Sequence, residues 1–318
     1  MTETRPEFSF IHWLEQNSRP TPGLVLGIGD DAAVLSATPD EWVVTKDVIT
    51  QGVHFDSSIP LELVGRKALA VNLSDLAAMT ARPAAAFVGL VLPRQMERDA
   101  VEQIYHGLQT LADEWNVTIA GGDTNSWNGG LVISVTLMGT VAPGTAVRRD
   151  GAMPGDGIFV TGPLGGSLAS GRHARFSPRL REAEILKQTV TLHSMLDLSD
   201  GLGSDLFHIL ERSHVGARID GDAIPIHTDV DPLLTHWERL LQALGDGEDF
   251  ELLFTVSEAD GKRLMESPPT GVRPIRIGTV TESRQAVLLW GGMEREFPRS
   301  GWSHGFGRTT KKGDQQDS

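Results

Sequence analysis

The chain has 318 residues, 40% of them hydrophobic and 22% charged, which is too long for one small core and comfortable for two domains. A net charge of −14 and the absence of cysteine exclude a phosphate-neutralising nucleic-acid surface, a disulfide framework, thiolate catalysis and Cys-ligated metal. No basic n-region followed by an apolar h-region stands at the start, and the longest apolar run, 84–92, is too short to span a bilayer. The expectation is a cytoplasmic enzyme with no nucleic-acid and no membrane partner.

In chain order, apolar periodicity predicts a strand over 42–48 and an amphipathic helix over 61–80, with Leu69, Leu73 and Leu76 at helical spacing. A buried strand over 84–92, a helix over 97–114, a short strand over 117–120 and a longer one over 131–141 follow. Turn chemistry at Ala142-Pro143-Gly144, and again at residues 151–156, marks a boundary. Beyond it the pattern predicts a strand at 158–161, helices near 178–191 and 201–213, and strands at 215–219, 250–256 and 272–280. Interleaved strands and helices in both halves imply an α/β or α+β protein of two domains. These are placed at 1–144 and 145–307, with a polar tail at 308–318 expected to be disordered.

Five places join an acid to glycine or to a strand end. They are Gly29-Asp30-Asp31, Thr45-Lys46-Asp47, Asp75, Gly121-Gly122-Asp123-Thr124 and Asp197-Leu198-Ser199-Asp200-Gly201. Mg²⁺ takes hard oxygen ligands, commonly one or two carboxylates plus substrate phosphates, so separate aspartates suit several ions. Local roles also fit some of them. Ser199 or Asp200 matches a helix cap, and Asp30 and Asp123 match turn formers. Asp75 lies beyond the first turn of an apolar helix, where neither role is obvious.

No G-x-x-x-x-G-K-[ST] is present, and the loop 162–167 has the wrong spacing for a dinucleotide turn. The histidines His12, His173, His193 and His214 lack ligand spacing and are read as surface or core residues. Lys187, Arg179 and Arg181 are read as a solvated helix face.

Taken together, the stretches GIGDDAAVL, TKDVITQGVHFD, GRKALAVNLSDLAAM, AGGDTN, RRDGAMPGD, DLSDGLGSDL, GEDFELLF and GWSHGF resemble the thiamine-monophosphate kinase family of the PurM-like ATP-binding superfamily. They cover nearly the whole chain. The resemblance implies a PurM-like fold whose N-terminal sheet helps build a dimer barrel, beside a C-terminal α/β domain. It implies phosphoryl transfer from ATP to thiamine phosphate in a homodimer that needs Mg²⁺ and is helped by K⁺. By motif position it implies metal ligands at Asp30, Thr45, Asp47, Asp75, Asp123, Asp197 and Asp200. ATP contacts are implied at Tyr105, Gly122, Asp123, Arg149 and Ser199, and thiamine phosphate contacts at His54, Glu248 and Trp302.

Three residues depart from the family pattern. Lys46 stands for Thr and is expected to place a cation beside the metals, Asp246 stands for Gly, and Ser303 stands for Asp. The competing readings are another ATP-dependent enzyme of the superfamily, such as an aminoimidazole ribonucleotide synthetase, and a non-catalytic nucleotide-binding relative.

Overall fold

The computed structural model describes residues 38–302 continuously, together with residues 13, 14, 16, 24–26 and 34–35. Two short strands, β1 (Leu24–Leu26) and β2 (Val34–Leu35), pair with each other. Asp30, Ser303, His12 and the tail at 308–318 lie outside the described residues.

Four strands make the first large sheet. They are β3 (Glu41–Thr50), β4 (Arg82–Pro93), β5 (Thr118–Trp127) and β6 (Val132–Val141), in the order β3-β6-β4-β5. One face carries Ile49, Val88 and Val135 into the core, whereas Trp42, Val44 and Val48 of β3 stay exposed on the other. The strand predicted over 117–120 runs on to Trp127, so Gly121-Gly122-Asp123-Thr124 is mid-strand and not a turn. Gly122 is required there, because a Cβ would sit 1.9 Å from the Val88 carbonyl oxygen of the neighbouring strand.

Helix α1 (Leu61–Ala78) and helix α2 (Arg98–Glu114) cover the inner face. They cross closely because two glycines face opposite backbones. A Cβ on Gly65 would lie 1.9 Å from Ile104 O, and one on Gly107 would lie 1.8 Å from Glu62 O. The periodicity predicts an amphipathic α1, but the helix is buried nearly all round, as befits one enclosed by neighbours on every side. β3 and β6 touch one side, α2 another, and C-terminal elements the rest.

The second sheet has seven strands in the order β13-β12-β9-β11-β7-β10-β8. Their ranges are β7 (Gly157–Val160), β8 (Leu192–Asp197), β9 (Gly216–Asp220), β10 (Leu252–Val256), β11 (Ile275–Thr281), β12 (Ala286–Trp290) and β13 (Met293–Glu296). Only the β9–β12 pair is parallel, so this sheet is of α+β type. Four longer helices accompany it: α3 (Leu180–Thr189), α4 (Leu202–Ser213), α5 (His236–Gly245) and α6 (Glu258–Glu266).

Both faces of the sheet are covered, which explains why every residue of β7 and β10 is buried. Alternation sorts their side chains. Phe159, Met195 and Phe254 join a core continuous with α1 and the first sheet, while Ile158, Val160, Leu196 and Leu253 pack in a second core with residues of α4 and α5. Among the described residues no helix is long and apolar enough to cross a membrane.

Candidate active site

β3, α1 and β8 converge at a cluster of carboxylates. Period-two alternation along β3 puts Thr45 and Asp47 on the inner face. There Thr45 Oγ1 donates to Asp75 Oδ2 of α1, and Asp47 also hydrogen-bonds Asp75. From the preceding residue of α1, Ser74 Oγ donates to Asp197 Oδ2 at the end of β8, 2.7 Å distant. Burial and then the charge of Asp75 push the Asp197 carboxyl up to about 7. Burial, then Asp75 and Asp197, raise Asp47 to about 7 as well. Asp75 is raised chiefly by burial, against the opposing effects of Thr45, Asp47 and the Arg149 guanidinium. Three mutually repelling carboxylates with only oxygen donors nearby fit a hard divalent cation, which would relieve the repulsion.

The same alternation turns Lys46 to the other face, where Nζ donates to Ser134 Oγ at 2.7 Å. The expected cation beside the metals is therefore absent from the cluster. Asp123 shares that outer face, three strands away from β3, since its row across the sheet runs through Gly89 and Ser134 to Val48. Strands about 4.8 Å apart leave it roughly 14 Å from β3 in its own chain.

The loop after β8 is held by Asp205, a residue the sequence reading passed over. Its Oδ2 accepts the N–H of Asp200 at 3.0 Å and of Gly201 at 3.1 Å. Burial, then Asp197 and Asp200, push its carboxyl up to about 8. Neither Ser199 nor Asp200 caps α4, whose N-cap is Gly201. Ligand atoms of Asp200, Asp205 and His208 lie within 4.8 Å of one another. The spacing of Asp200 and Asp205 around the start of α4 was the available signal.

Two cavities flank the cluster. The larger, of about 390 Å³, is lined by Thr45, Asp75, Val147, Arg148, Arg149 and Arg212, among others. The smaller, of about 170 Å³, includes Asp47, His54, Ser199, Asp200, Glu248 and Trp302. Gly122 lies in the first sheet, outside both linings. Tyr105 is buried in the core on α2, also outside both, and burial pushes its phenol well above the usual range.

The smaller cavity depends on a buried lysine that the motif reading left without a role. Lys67 of α1 has no exposed surface. Its Nζ donates to His54 O at 2.7 Å, to His173 Nδ1 at 2.7 Å and to Glu248 Oε2. The three contacts match the three protons of an ammonium in number, the role of the His173 ring nitrogen being set by its tautomer. His173 is thus part of the site and not an incidental core residue. Burial works to raise the Glu248 carboxyl, but the His173 ring and the Lys67 charge outweigh it and hold it below the ordinary glutamate range.

Glu248 and Phe250 both have left-handed backbone, at φ 57° and 52°. Backbone bonds from Glu248 N to Ser199 O and from Phe250 N to Leu198 O hold them there, 2.7 and 2.8 Å long. Such strain persists only where the surroundings over-determine it. Asp246 Oδ2 accepts Gly166 N–H, and Asp249 accepts Gly165 N–H and pairs with Arg172. Arg179 is no solvated face residue, because its guanidinium grips Glu251.

The profile of "AIR synthase related protein, N-terminal domain" matches residues 29–141. The thiamine-monophosphate kinase of Rhodopirellula baltica is 40% identical over 316 residues, covering 94% of this chain and 97% of that protein. The chain belongs to the thiamine-monophosphate kinase family. The crystal structure of the thiamine-monophosphate kinase from Stenotrophomonas maltophilia K279a superposes with a TM-score of 0.79 at 35% identity, covering 89% of this chain and 96% of that one. AaThiL, solved in complex with AMPPCP and TMP, superposes with a TM-score of 0.73 at 28% identity over 96% and 100% of the two chains. The fold of this thiamine-monophosphate kinase family member is PurM-like, with mixed α and β structure built on two large sheets.

Proposed function

We propose that this thiamine-monophosphate kinase family member transfers the γ-phosphoryl group of ATP directly to thiamine phosphate, giving ADP and thiamine diphosphate. The position of Asp47, Asp75 and Asp197 between two differently lined cavities carries this reading. The larger cavity, with Arg148, Arg149 and Arg212, suits a polyphosphate, and Arg149 lowers the Asp75 and Asp197 carboxyls as a cation aimed at that junction would. The smaller cavity, with His54, Glu248 and Trp302, suits an aromatic cation. AaThiL holding AMPPCP and TMP supports the pairing of a nucleotide with a second ligand.

The acceptor is a phosphate monoester, anionic near neutral pH, so no general base is needed to make the nucleophile. The chain's task is alignment in line and control of charge. Asp47, Asp75, Asp197 and Asp200, with Thr45 at the rim and Asp30 from the preceding segment, are the residues that would hold Mg²⁺. Bound there, Mg²⁺ supplies neutralisation of the phosphate charges. K⁺ enters the reading through the family resemblance.

A homodimer completes the proposal. β3 and β5 are the open edges of the first sheet, and β3 exposes Trp42, Val44 and Val48 beside them. Long open edges with apolar faces call for a partner. A second copy closing the sheet into a barrel would bring Asp123 of the partner subunit alongside β3, which its place in its own chain forbids. We keep the division of the chain near residue 144, supported by two sheets that share no strand, and a cytoplasmic location, in keeping with a chain free of cysteine.

The direct test is incubation of purified protein with Mg²⁺, ATP and thiamine phosphate, followed by chromatography. Thiamine diphosphate and ADP should appear in equal amounts. ATP binding without thiamine diphosphate would overturn the kinase reading in favour of a nucleotide-binding relative.

A further inference from the structure

We propose that Asp246, acting with the C-terminal pole of α5, supplies the negative charge by which the smaller cavity selects the cationic ring of its substrate. The inference rests on assigning that cavity to thiamine phosphate.

Four carboxylates line the cavity: Asp47, Asp200, Asp246 and Glu248. Asp47 belongs to the acid cluster and Asp200 to the proposed metal ligands, so their charge is answered by cations and phosphate. Glu248 has the motif position for ring recognition, but its charge is already spent within the protein. Lys67, the one lysine or arginine in the lining, is fully buried and pairs with it, so together they present no net charge. Asp246 is different. Its Oδ2 accepts only a neutral donor, Gly166 N–H at 2.9 Å, and among the described residues no cation pairs with it.

Its place in the fold adds to that charge. Asp246 is the C-cap of α5, with helical φ −65° and ψ −36°, and its own N–H closes on Gln242 O. The unpaired carbonyls of a last helical turn form a partial negative pole, where Lys, Arg or His is favoured and an acid is not. α5 has no basic residue in its last turn. A residue set against the local electrostatic rule and lining a substrate cavity points to a role in binding. The carboxylate and the helix pole act in the same direction on a ligand cation, and Trp302 lines the same cavity with an indole.

Asp246→Asn tests this with little disturbance, since the amide oxygen can accept the same Gly166 N–H. KM should be measured for thiamine phosphate, for its analogue in which an uncharged thiophene replaces the thiazolium, and for ATP. KM for thiamine phosphate should rise about tenfold, with the values for the uncharged analogue and for ATP unchanged. The melting temperature should equal or exceed that of the wild type, because a charge opposed to the helix pole is gone. D246G should give the same pattern without an isosteric side chain. An unchanged KM for thiamine phosphate, or an equal rise for the uncharged analogue, would overturn the inference while leaving the kinase reading intact. A wild-type protein that forms no thiamine diphosphate would overturn both.

Discussion

Lys67→Met removes a buried ammonium while keeping most of the aliphatic stem, and so isolates what the charge contributes. Glu248 then loses its ion pair in a place where only 18% of its side chain is exposed. Breaking a buried pair by removing one member costs about 3–5 kcal/mol, and partial solvation of Glu248 puts this case near the lower end, at about 3 kcal/mol. For a chain of this length the entropy of unfolding is on the order of 0.7 kcal/mol per kelvin, so the melting temperature should fall by about 4–5 °C. Glu248→Gln should cost a comparable amount, because it leaves a fully buried ammonium facing a neutral amide. The double variant leaves no unpaired charge and should lie within about 1 kcal/mol of the wild type. Urea unfolding followed by tryptophan fluorescence, in metal-free buffer, gives the coupling energy from the full cycle. If the two single effects simply add, to within about 0.5 kcal/mol, Lys67 and Glu248 do not act as a pair and the account of the smaller cavity fails.

The raised carboxyls make stability depend on pH and metal together. Asp47 and Asp197 titrate at about 7 and Asp205 at about 8 in the folded protein, far above an unfolded aspartate. The folded state therefore binds more protons between roughly pH 4 and 8. Their contribution to stability is fully present below the unfolded value and is lost as pH rises through 7 to 8. The melting temperature gained on adding Mg²⁺ to chelator-treated protein should be larger at pH 8 than at pH 6; an equal gain at both would remove the cluster as the binding site. Asp47→Asn and Asp123→Asn should each be inactive alone, yet co-expressed variants should regain activity in hybrid dimers, where one site draws both native residues from different subunits. Inactive hybrids would show that the two aspartates serve the same protomer's site.

Much of the candidate site was legible in the sequence because carboxylates at such positions stand out by residue type. Asp47, Asp75 and Asp197 stand out by their strand-end or mid-helix positions, and the structure brings the three together. Sidedness was legible in principle, since alternation along β3 separates Lys46 from Thr45 and Asp47. Lys67 was not, because a lysine in an apolar helix gives no hint of three acceptors drawn from segments far apart in the chain. β8 escaped notice since six residues with a polar start lack a clear period. α5 did carry a readable sign, the Thr235 and Glu238 capping box, which the pattern of hydrophobic residues overshadowed. The elongation of β5 through two glycines went against local turn chemistry, and its neighbour β4 decided the matter.

The enclosure of α1 also sets an order of events during synthesis. Its surface is finished by elements from both halves, and β8, which meets it through Ser74 and Asp197, begins only at Leu192. At about 5–20 residues per second, the ribosome leaves that side of the helix without its partner for on the order of ten seconds. Through that interval the nascent N-terminal half carries an apolar helix face with Lys67 and Ser74 still without their C-terminal partners. The newly made chain is therefore most exposed to holdase chaperones, and to misassociation, before the first aspartate of the DLSDG motif has been translated.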